Sequence, residues 1–220
     1  MTRVGEELVD ALEALVKAEA PMELERSWRR AARLLGEDSL GLRAVVDALA
    51  EKSIRLYELE RLATEDVLTG VANRRSFDDA LRRELARRRR AGGPAVIMLD
   101  LDGLKEINDR FGHAAGDEAI RMAAAACLDQ VRAGDMVGRL GGDELAVLLP
   151  DTHLGGAEVV MERVREAIER QTVCGVRLRV SVGLAVAGPD GDDREEVLQA
   201  ADERMYADKR ARKSQLRLAA

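Results

Sequence analysis

The sequence predicts a mixed α/β protein, an α+β sandwich built on one central sheet and preceded by an all-helical N-terminal region. Three observations predict it. Short apolar runs of strand length alternate with longer segments whose apolar residues recur at helical spacing. Two of the strand-like runs, within residues 136–149, are joined by Gly141-Gly142 and read as a hairpin. Ahead of Asp66 the pattern is helical throughout.

Residues 1–40 read as two short helices. Leu8, Leu12 and Leu15 mark an apolar stripe on the first. Pro21 is placed to open the second and Gly36 to close it, with Leu24, Trp28 and Leu35 facing the partner. A small helical bundle accounts for this region; a sensing module is the other reading, and no residue names a ligand. Residues 41–65 form a connecting segment with a helix over 42–63. There Leu42, Leu49, Leu56 and Ala63 repeat every seven residues, with Val45, Lys52 and Leu59 between them. That pattern suits either a short dimeric coiled coil or an amphipathic helix packing on its own chain.

A third domain is expected over residues 66–215. Thr69-Gly70 breaks the preceding helix, and Asn73 can cap a new one with Phe77, Leu81 and Leu85 on one face. The arginine run 87–90 suits the negative end of that helix. Residues 95–99 read as a buried strand ending at Asp100-Leu101-Asp102. A helix is expected near 117–131, the hairpin over 136–149, a helix near 156–171, a strand over 176–186 and a last helix over 194–213.

Composition narrows the function. A net charge of −6 argues against a nucleic-acid binder with a broadly basic surface. Two cysteines, Cys127 and Cys174, make no disulfide framework and no zinc motif, which suits a reducing cytoplasm. No apolar run is long enough for a membrane span, and residues 1–7 lack the layout of a signal peptide. A cytoplasmic location is the expectation.

Two acidic positions draw attention. Asp100 ends a buried strand and Asp143 sits in a tight turn between two strands. Alone, each reads as a cap or a surface residue. If their strands are neighbours, two carboxylates and a backbone carbonyl make a hard oxygen site suited to Mg²⁺ or Mn²⁺ with a triphosphate. Gly141-Gly142 permits positive φ and leaves room for a substrate to approach the backbone. Asp143-Glu144 inside a hairpin is costly without a metal or polar partner.

These residues form part of a larger pattern. Gly141-Gly142-Asp143-Glu144-Leu145 resembles the signature of the GGDEF domain family, the diguanylate cyclases. Residues 66–75, beginning Asp66-Val67-Leu68-Thr69-Gly70, resemble that family's opening D-x-L-T-G-L-x-N-R-R, and residues 100–109 its D-x-D-x-F-K-x-I-N-D. Gly112-His113 and Gly116-Asp117 match G-H-x-x-G-D, and residues 201–209 are similar to the closing A-D-x-x-x-Y-x-A-K. The blocks stand in the family's order across residues 66–213.

The resemblance implies a nucleotidyl-cyclase, palm-like fold with a mainly antiparallel sheet flanked by helices. It implies an enzyme that joins two GTP into cyclic di-GMP as a homodimer. Asp100 and Asp143 would hold the metal with the carbonyl of Leu101, and Asp143 or Glu144 would take the proton. Asn108 and Asp117 would bind guanine, with His113 nearby. The backbone of Gly103, Leu104 and Lys105 would cradle phosphates, Gly141 and Gly142 would admit the substrate, and Lys209 and Lys213 would reach the β and γ phosphates. Arg132-Ala133-Gly134-Asp135 matches the family's R-x-x-D, where cyclic di-GMP would bind as inhibitor, with five residues between Asp135 and Gly141. Arg163 stands where a second arginine for that ligand is expected, although a surface helix arginine explains it equally.

Three departures are visible. Leu145 replaces the usual Phe, Gly103-Leu104 stand where bulkier residues are common, and in the closing motif Asp208 precedes Lys209 and Arg212-Lys213 replace a Gly-Arg. The competing readings are a degenerate domain that binds GTP or cyclic di-GMP as a receptor, and a scaffold whose helical region does the work.

Overall fold

Residues 95–101, apolar except for Asp100, form the strand β2 (Ala95–Leu101), buried along its whole length. The computed structural model describes residues 3–17, 21–34, 40–87 and 93–219. They fall into two compact units, residues 1–63 and 64–220.

The first unit is helical: α1 (Arg3–Lys17), α2 (Pro21–Leu34) and most of α3 (Leu40–Thr64). Ala11, Ala31 and Val46 are buried together, with Leu8, Leu12, Trp28 and Leu34 packed on them. Leu24 and Ala50 make a second cluster against Trp28, whose indole N–H donates to Asp47 Oδ1 at 2.8 Å. Both expected helices are present, and the second begins at Pro21. Leu35 and Gly36 lie outside the described residues, as do the side chains of Leu15, Leu42 and Val45. Further along α3, Leu49, Leu56, Leu59 and Leu62 are exposed.

In the second unit β1 (Ala72–Asn73) leads into α4 (Arg74–Arg87), whose start is capped as expected: Asn73 Oδ1 accepts from Ser76 N–H at 3.0 Å. Residues 88–90 of the arginine run lie outside the described residues. After β2 come α5 (Leu104–Phe111), α6 (His113–Leu128), β3 (Met136–Arg139), β4 (Glu144–Leu149) and α7 (Leu154–Glu169). Then follow β5 (Thr172–Val173), β6 (Val176–Arg177), β7 (Val180–Val186) and α8 (Arg194–Ala219). The main sheet runs β1-β3-β4-β2-β7, antiparallel except where β1 meets β3.

Strand β2 serves two cores because successive side chains point to opposite faces. Ile97 and Leu99 face α6 and α7 with Ile120, Val164 and Ile168. Val96 and Met98 face α4 and α8 with Phe77, Leu81, Val197 and Met205. Few aromatics are needed because the helices come close. On α6 the inward positions include Ala119, Ala123 and Ala126, and a Cβ on Gly183 of β7 would lie 2.0 Å from the carbonyl oxygen of Ala201 on α8.

Two stretches differ from expectation. The stretch after β2 holds two helices, because Gly112 at φ 86 breaks the chain between them, so α6 starts at His113 rather than near 117. The strand expected over 176–186 is interrupted at Leu178-Arg179. Its first part pairs with β5 as a separate ribbon, turned by Cys174 (φ 50) and Gly175 (φ 78).

Candidate active site

The site gathers where β2 and β4 end side by side. Asp100 stands opposite Glu144 in the register of those strands. The Leu101 N–H donates to the Asp143 carbonyl at 3.1 Å, drawing the hairpin tip against the end of β2. The residue Asp100 is only 8% exposed. Burial pushes its carboxyl above the usual aspartate value; the Lys209 ammonium opposes the shift, and the Asp143 and Asp102 charges add to it. Lys209 Nζ donates to Asp100 Oδ1 at 2.6 Å. Asp102 accepts from the Ser181 hydroxyl at 3.0 and 2.9 Å.

The hairpin tip is held from beneath. Arg139 donates to the carbonyls of Gly141 (3.1 Å) and Gly142 (2.8 Å), and its Nη1 reaches both oxygens of Asp66 at 3.1 and 3.2 Å. Burial raises the Asp66 carboxyl, but hydrogen bonds from Thr69 and Arg139 outweigh it and hold it below the usual range. Neither Gly141 nor Gly142 uses the positive φ that glycine permits. Gly141 matters for space: a Cβ there would meet Glu144 Oε2 at 2.6 Å, so the glutamate folds over it. Leu145 packs in the core at 1% exposure, an apolar place that takes Leu for Phe.

Gly103, at φ 78, turns β2 into α5, so the N–H groups of Leu104 and Lys105 open that helix. Across from α5, Gly116 of α6 gives Asn108 its room. A Cβ on Gly116 would lie 1.9 Å from Asn108 Oδ1, a buried oxygen with no hydrogen-bond partner. An acceptor in that state suits a ligand N–H. Asp117 and His113 are exposed on α6. Lys213 lines a cavity that begins at Asp102 and Gly103.

Arg132 and Asp135 form a tight turn: Arg132 N–H donates to Asp135 Oδ2 at 2.9 Å, and Asp135 N–H to the Arg132 carbonyl at 2.9 Å. The Arg132 side chain is 70% exposed and donates to Thr152 Oγ1 at 3.1 Å; that of Asp135 is 3% exposed. Arg163 donates to the Gln130 carbonyl, which brings it to the same turn.

Asp100, Asp143 and the Leu101 carbonyl offer a divalent cation two carboxylates and a neutral oxygen. Among the described residues no group of three or more His, Cys, Asp or Glu side chains forms a metal site. The smaller set still fits a hard cation, because Asp100 feels the negative charges of Asp143 and Asp102 and is matched by an ammonium. Arg139, Asp66 and Gly116 were not singled out as site residues from the sequence. Arg139 looked like any polar strand end, and Gly116 like one glycine of a motif.

The antiparallel sheet, its acidic hairpin and the strand-to-helix turn together define a mixed α/β domain built on a mostly antiparallel sheet flanked by helices. Residues 63–215 match the family described as diguanylate cyclase, GGDEF domain. The chain is 36% identical over 171 residues to the diguanylate cyclase DgcP of Pseudomonas aeruginosa, covering 74% of this chain and 25% of that protein. It is 37% identical over 176 residues to the probable diguanylate cyclase DgcC of Escherichia coli, covering 78% and 47%. The crystal structure of the coiled coil and GGDEF domain of DgcB from Caulobacter crescentus, in complex with c-di-GMP, aligns with TM-score 0.67 at 29% identity, over 79% of this chain and 95% of that one. The chain belongs to the GGDEF-domain family. It spans between a quarter and a half of the length of these two curated relatives. Among the described residues no helix is long and apolar enough to cross a membrane.

Proposed function

We propose that this chain is a diguanylate cyclase: it condenses two GTP into cyclic di-GMP and two pyrophosphates, as a homodimer. The observation that carries the reading is the meeting of Asp100 with Asp143-Glu144 at adjoining strand ends, next to the helix-opening turn at Gly103.

Each chain binds one GTP. Asn108 and Asp117 take the guanine edge, the amide oxygen and carboxylate accepting from its N–H groups. His113 stands beside them on α6. The N–H groups at Gly103, Leu104 and Lys105 take phosphate oxygens, and Lys209 and Lys213 take the β and γ phosphates. Gly141 and Gly142 keep the hairpin low enough for the ribose. Asp100, Asp143 and the Leu101 carbonyl hold Mg²⁺ or Mn²⁺, which when bound neutralises phosphate charge and lowers the pKa of the attacking hydroxyl.

The 3′-oxygen of one GTP forms a bond to the α-phosphorus of the other, and the bond from that phosphorus to the β-phosphate oxygen breaks. Pyrophosphate leaves, and the hydroxyl proton passes to Asp143, with Glu144 supporting it. The same step in the other direction closes the ring, which requires two sites face to face. Arg132 and Asp135, with Arg163, bind the cyclic product as an inhibitor. The exposed Arg132 guanidinium supports this, since it can meet a guanine bidentately.

Incubation of the purified chain with GTP and Mg²⁺ tests the reading. Cyclic di-GMP and pyrophosphate should form, and Asp143→Asn should lose at least about 100-fold in rate, the scale of a lost acid–base group, with its melting curve unchanged. Absence of product from the parent chain at concentrations that permit dimers would overturn the reading.

A further inference from the structure

A cavity of about 660 Å³ opens beside the turn from β2 into α5. It runs along the face of α5 that carries Glu106, Ile107 and Arg110; Asn108 is not among its walls. Five cationic side chains line it: Arg110, Arg177, Arg179, Arg212 and Lys213, against the two carboxylates of Asp102 and Glu106. In a chain of net charge −6 this is a local inversion of sign.

Some of that charge is already matched. Arg212 pairs with Glu169 and Asp208, and Arg110 lies over the Phe111 ring. The side chains of Arg177, Arg179 and Lys213 make no hydrogen bond or ion pair with the described residues. The backbone nevertheless brings them together. Leu178 is buried while Arg177 and Arg179 on either side of it are exposed, and both line the cavity. The Asp102 N–H donates to the Arg179 carbonyl at 2.9 Å, fixing that segment against the turn that holds Gly103. Cations gathered in excess over carboxylates in a concave site invite a polyanion, and guanidinium pairs suit phosphate oxygens bidentately.

We propose that this cavity binds pyrophosphate, receiving the leaving group of the cyclisation before release. This rests on the cyclase reading above, because the cavity shares Gly103 and Lys213 with the phosphate seat inferred there. The occupant suited to it is therefore an anion that leaves that seat. Arg177 and Arg179 belong to the cavity and to none of the roles given to the active site.

The test titrates sodium pyrophosphate into the full chain by calorimetry, with no GTP present, for the parent and for Arg177→Gln/Arg179→Gln. Both arginines are exposed, and an unchanged melting curve checks the fold. The parent should bind pyrophosphate, and more tightly than orthophosphate. The double variant should bind at least about tenfold more weakly, as expected for two lost charge-assisted contacts. Each single Gln variant should fall between, and Arg177→Lys/Arg179→Lys should recover part of the loss. In the cyclase assay, added pyrophosphate should inhibit the parent at lower concentration than the double variant. Equal affinity of parent and double variant, or no binding to the parent, overturns the proposal. Arginine-dependent binding in a chain that makes no cyclic di-GMP would keep the site and sink the cyclase reading. Cyclic di-GMP synthesis with arginine-independent binding would do the reverse.

Discussion

Asn108 Oδ1 is a buried acceptor left without a partner, and Gly116 is the reason it can sit there. In Gly116→Ala the new methyl would lie 1.9 Å from that oxygen, so the amide must swing away. The clash is with the end of a side chain rather than with backbone, so the fold should survive with a loss of about 1 kcal/mol, the low end for overpacking. The KM for GTP should rise about tenfold, the value of one polar contact of roughly 1.4 kcal/mol, with kcat little changed. An unchanged KM would remove Asn108 from the guanine site. Arg139 acts at the same scale through Asp66. The Asp66 carboxyl is held below 3.8, so its stabilising contribution is present above that value and is lost as pH falls through its folded pKa. Arg139→Ala should therefore melt lower than the parent at neutral pH, by about 1 kcal/mol from this half-buried pair. The gap should narrow below pH 3.8 without closing, because the bonds to the Gly141 and Gly142 carbonyls are lost at every pH. Thermal melts of both proteins from pH 7 to pH 3 read this directly, and a gap independent of pH would show that the pair contributes nothing.

At the scale of elements, the closest packing joins β7 to α8. A Cβ on Gly183 would meet the Ala201 carbonyl at 2.0 Å and the Met205 nitrogen at 2.3 Å, both backbone atoms that cannot rotate aside. Gly183→Ala should cost about 3 kcal/mol, the upper end for overpacking, or roughly 6–12 °C in melting temperature at this chain length. A shift under about 2 °C, less than one kcal/mol by the same conversion, would mean that α8 moves freely on the sheet. Because Lys209 rides on α8, its reach to Asp100 depends on this contact. Most elements were legible in the sequence: the apolar run of β2, the hairpin around Gly141-Gly142, the Asn73 cap and the α3 heptads all announce themselves locally. What was not legible depended on tertiary pairing. The turn at Cys174-Gly175 needs a non-glycine residue at positive φ, and the break at Leu178-Arg179 appears once Arg179 is held to Asp102. The split of α5 from α6 was carried by Gly112 alone, one glycine among several. For the site, the acids stood out as a motif. The supports beneath them, Arg139 and Ser181, are single polar residues whose partners lie 73 and 79 residues away.

At the scale of the whole molecule, a cyclic product made from one nucleotide per chain requires two chains. Leu56 and Leu59, at 52% and 54% exposure on α3, occupy the two repeating positions of the heptad. Full burial of a leucine contributes about 1.5–3 kcal/mol, of which roughly half remains to be gained at each of these half-exposed side chains, so this stripe is the surface through which two α3 helices would pair in the proposed homodimer. Leu56→Glu/Leu59→Glu should shift the mass measured by light scattering toward monomer. At micromolar protein it should lower cyclic di-GMP synthesis about tenfold or more, a factor that 1.4 kcal/mol of lost association would supply. Activity should recover as protein concentration rises. A variant that stays dimeric would place the interface elsewhere.

The contact between Asp100 and Lys209 also bears on how the site would rest before a nucleotide arrives. The ammonium of the last helix lies against the most buried carboxylate of the cluster. On the cyclase reading proposed above, it would act as a tethered placeholder for the ion: a metal–nucleotide complex would exchange one cation for another, and Lys209, once displaced, would stand close to the phosphates it is proposed to hold.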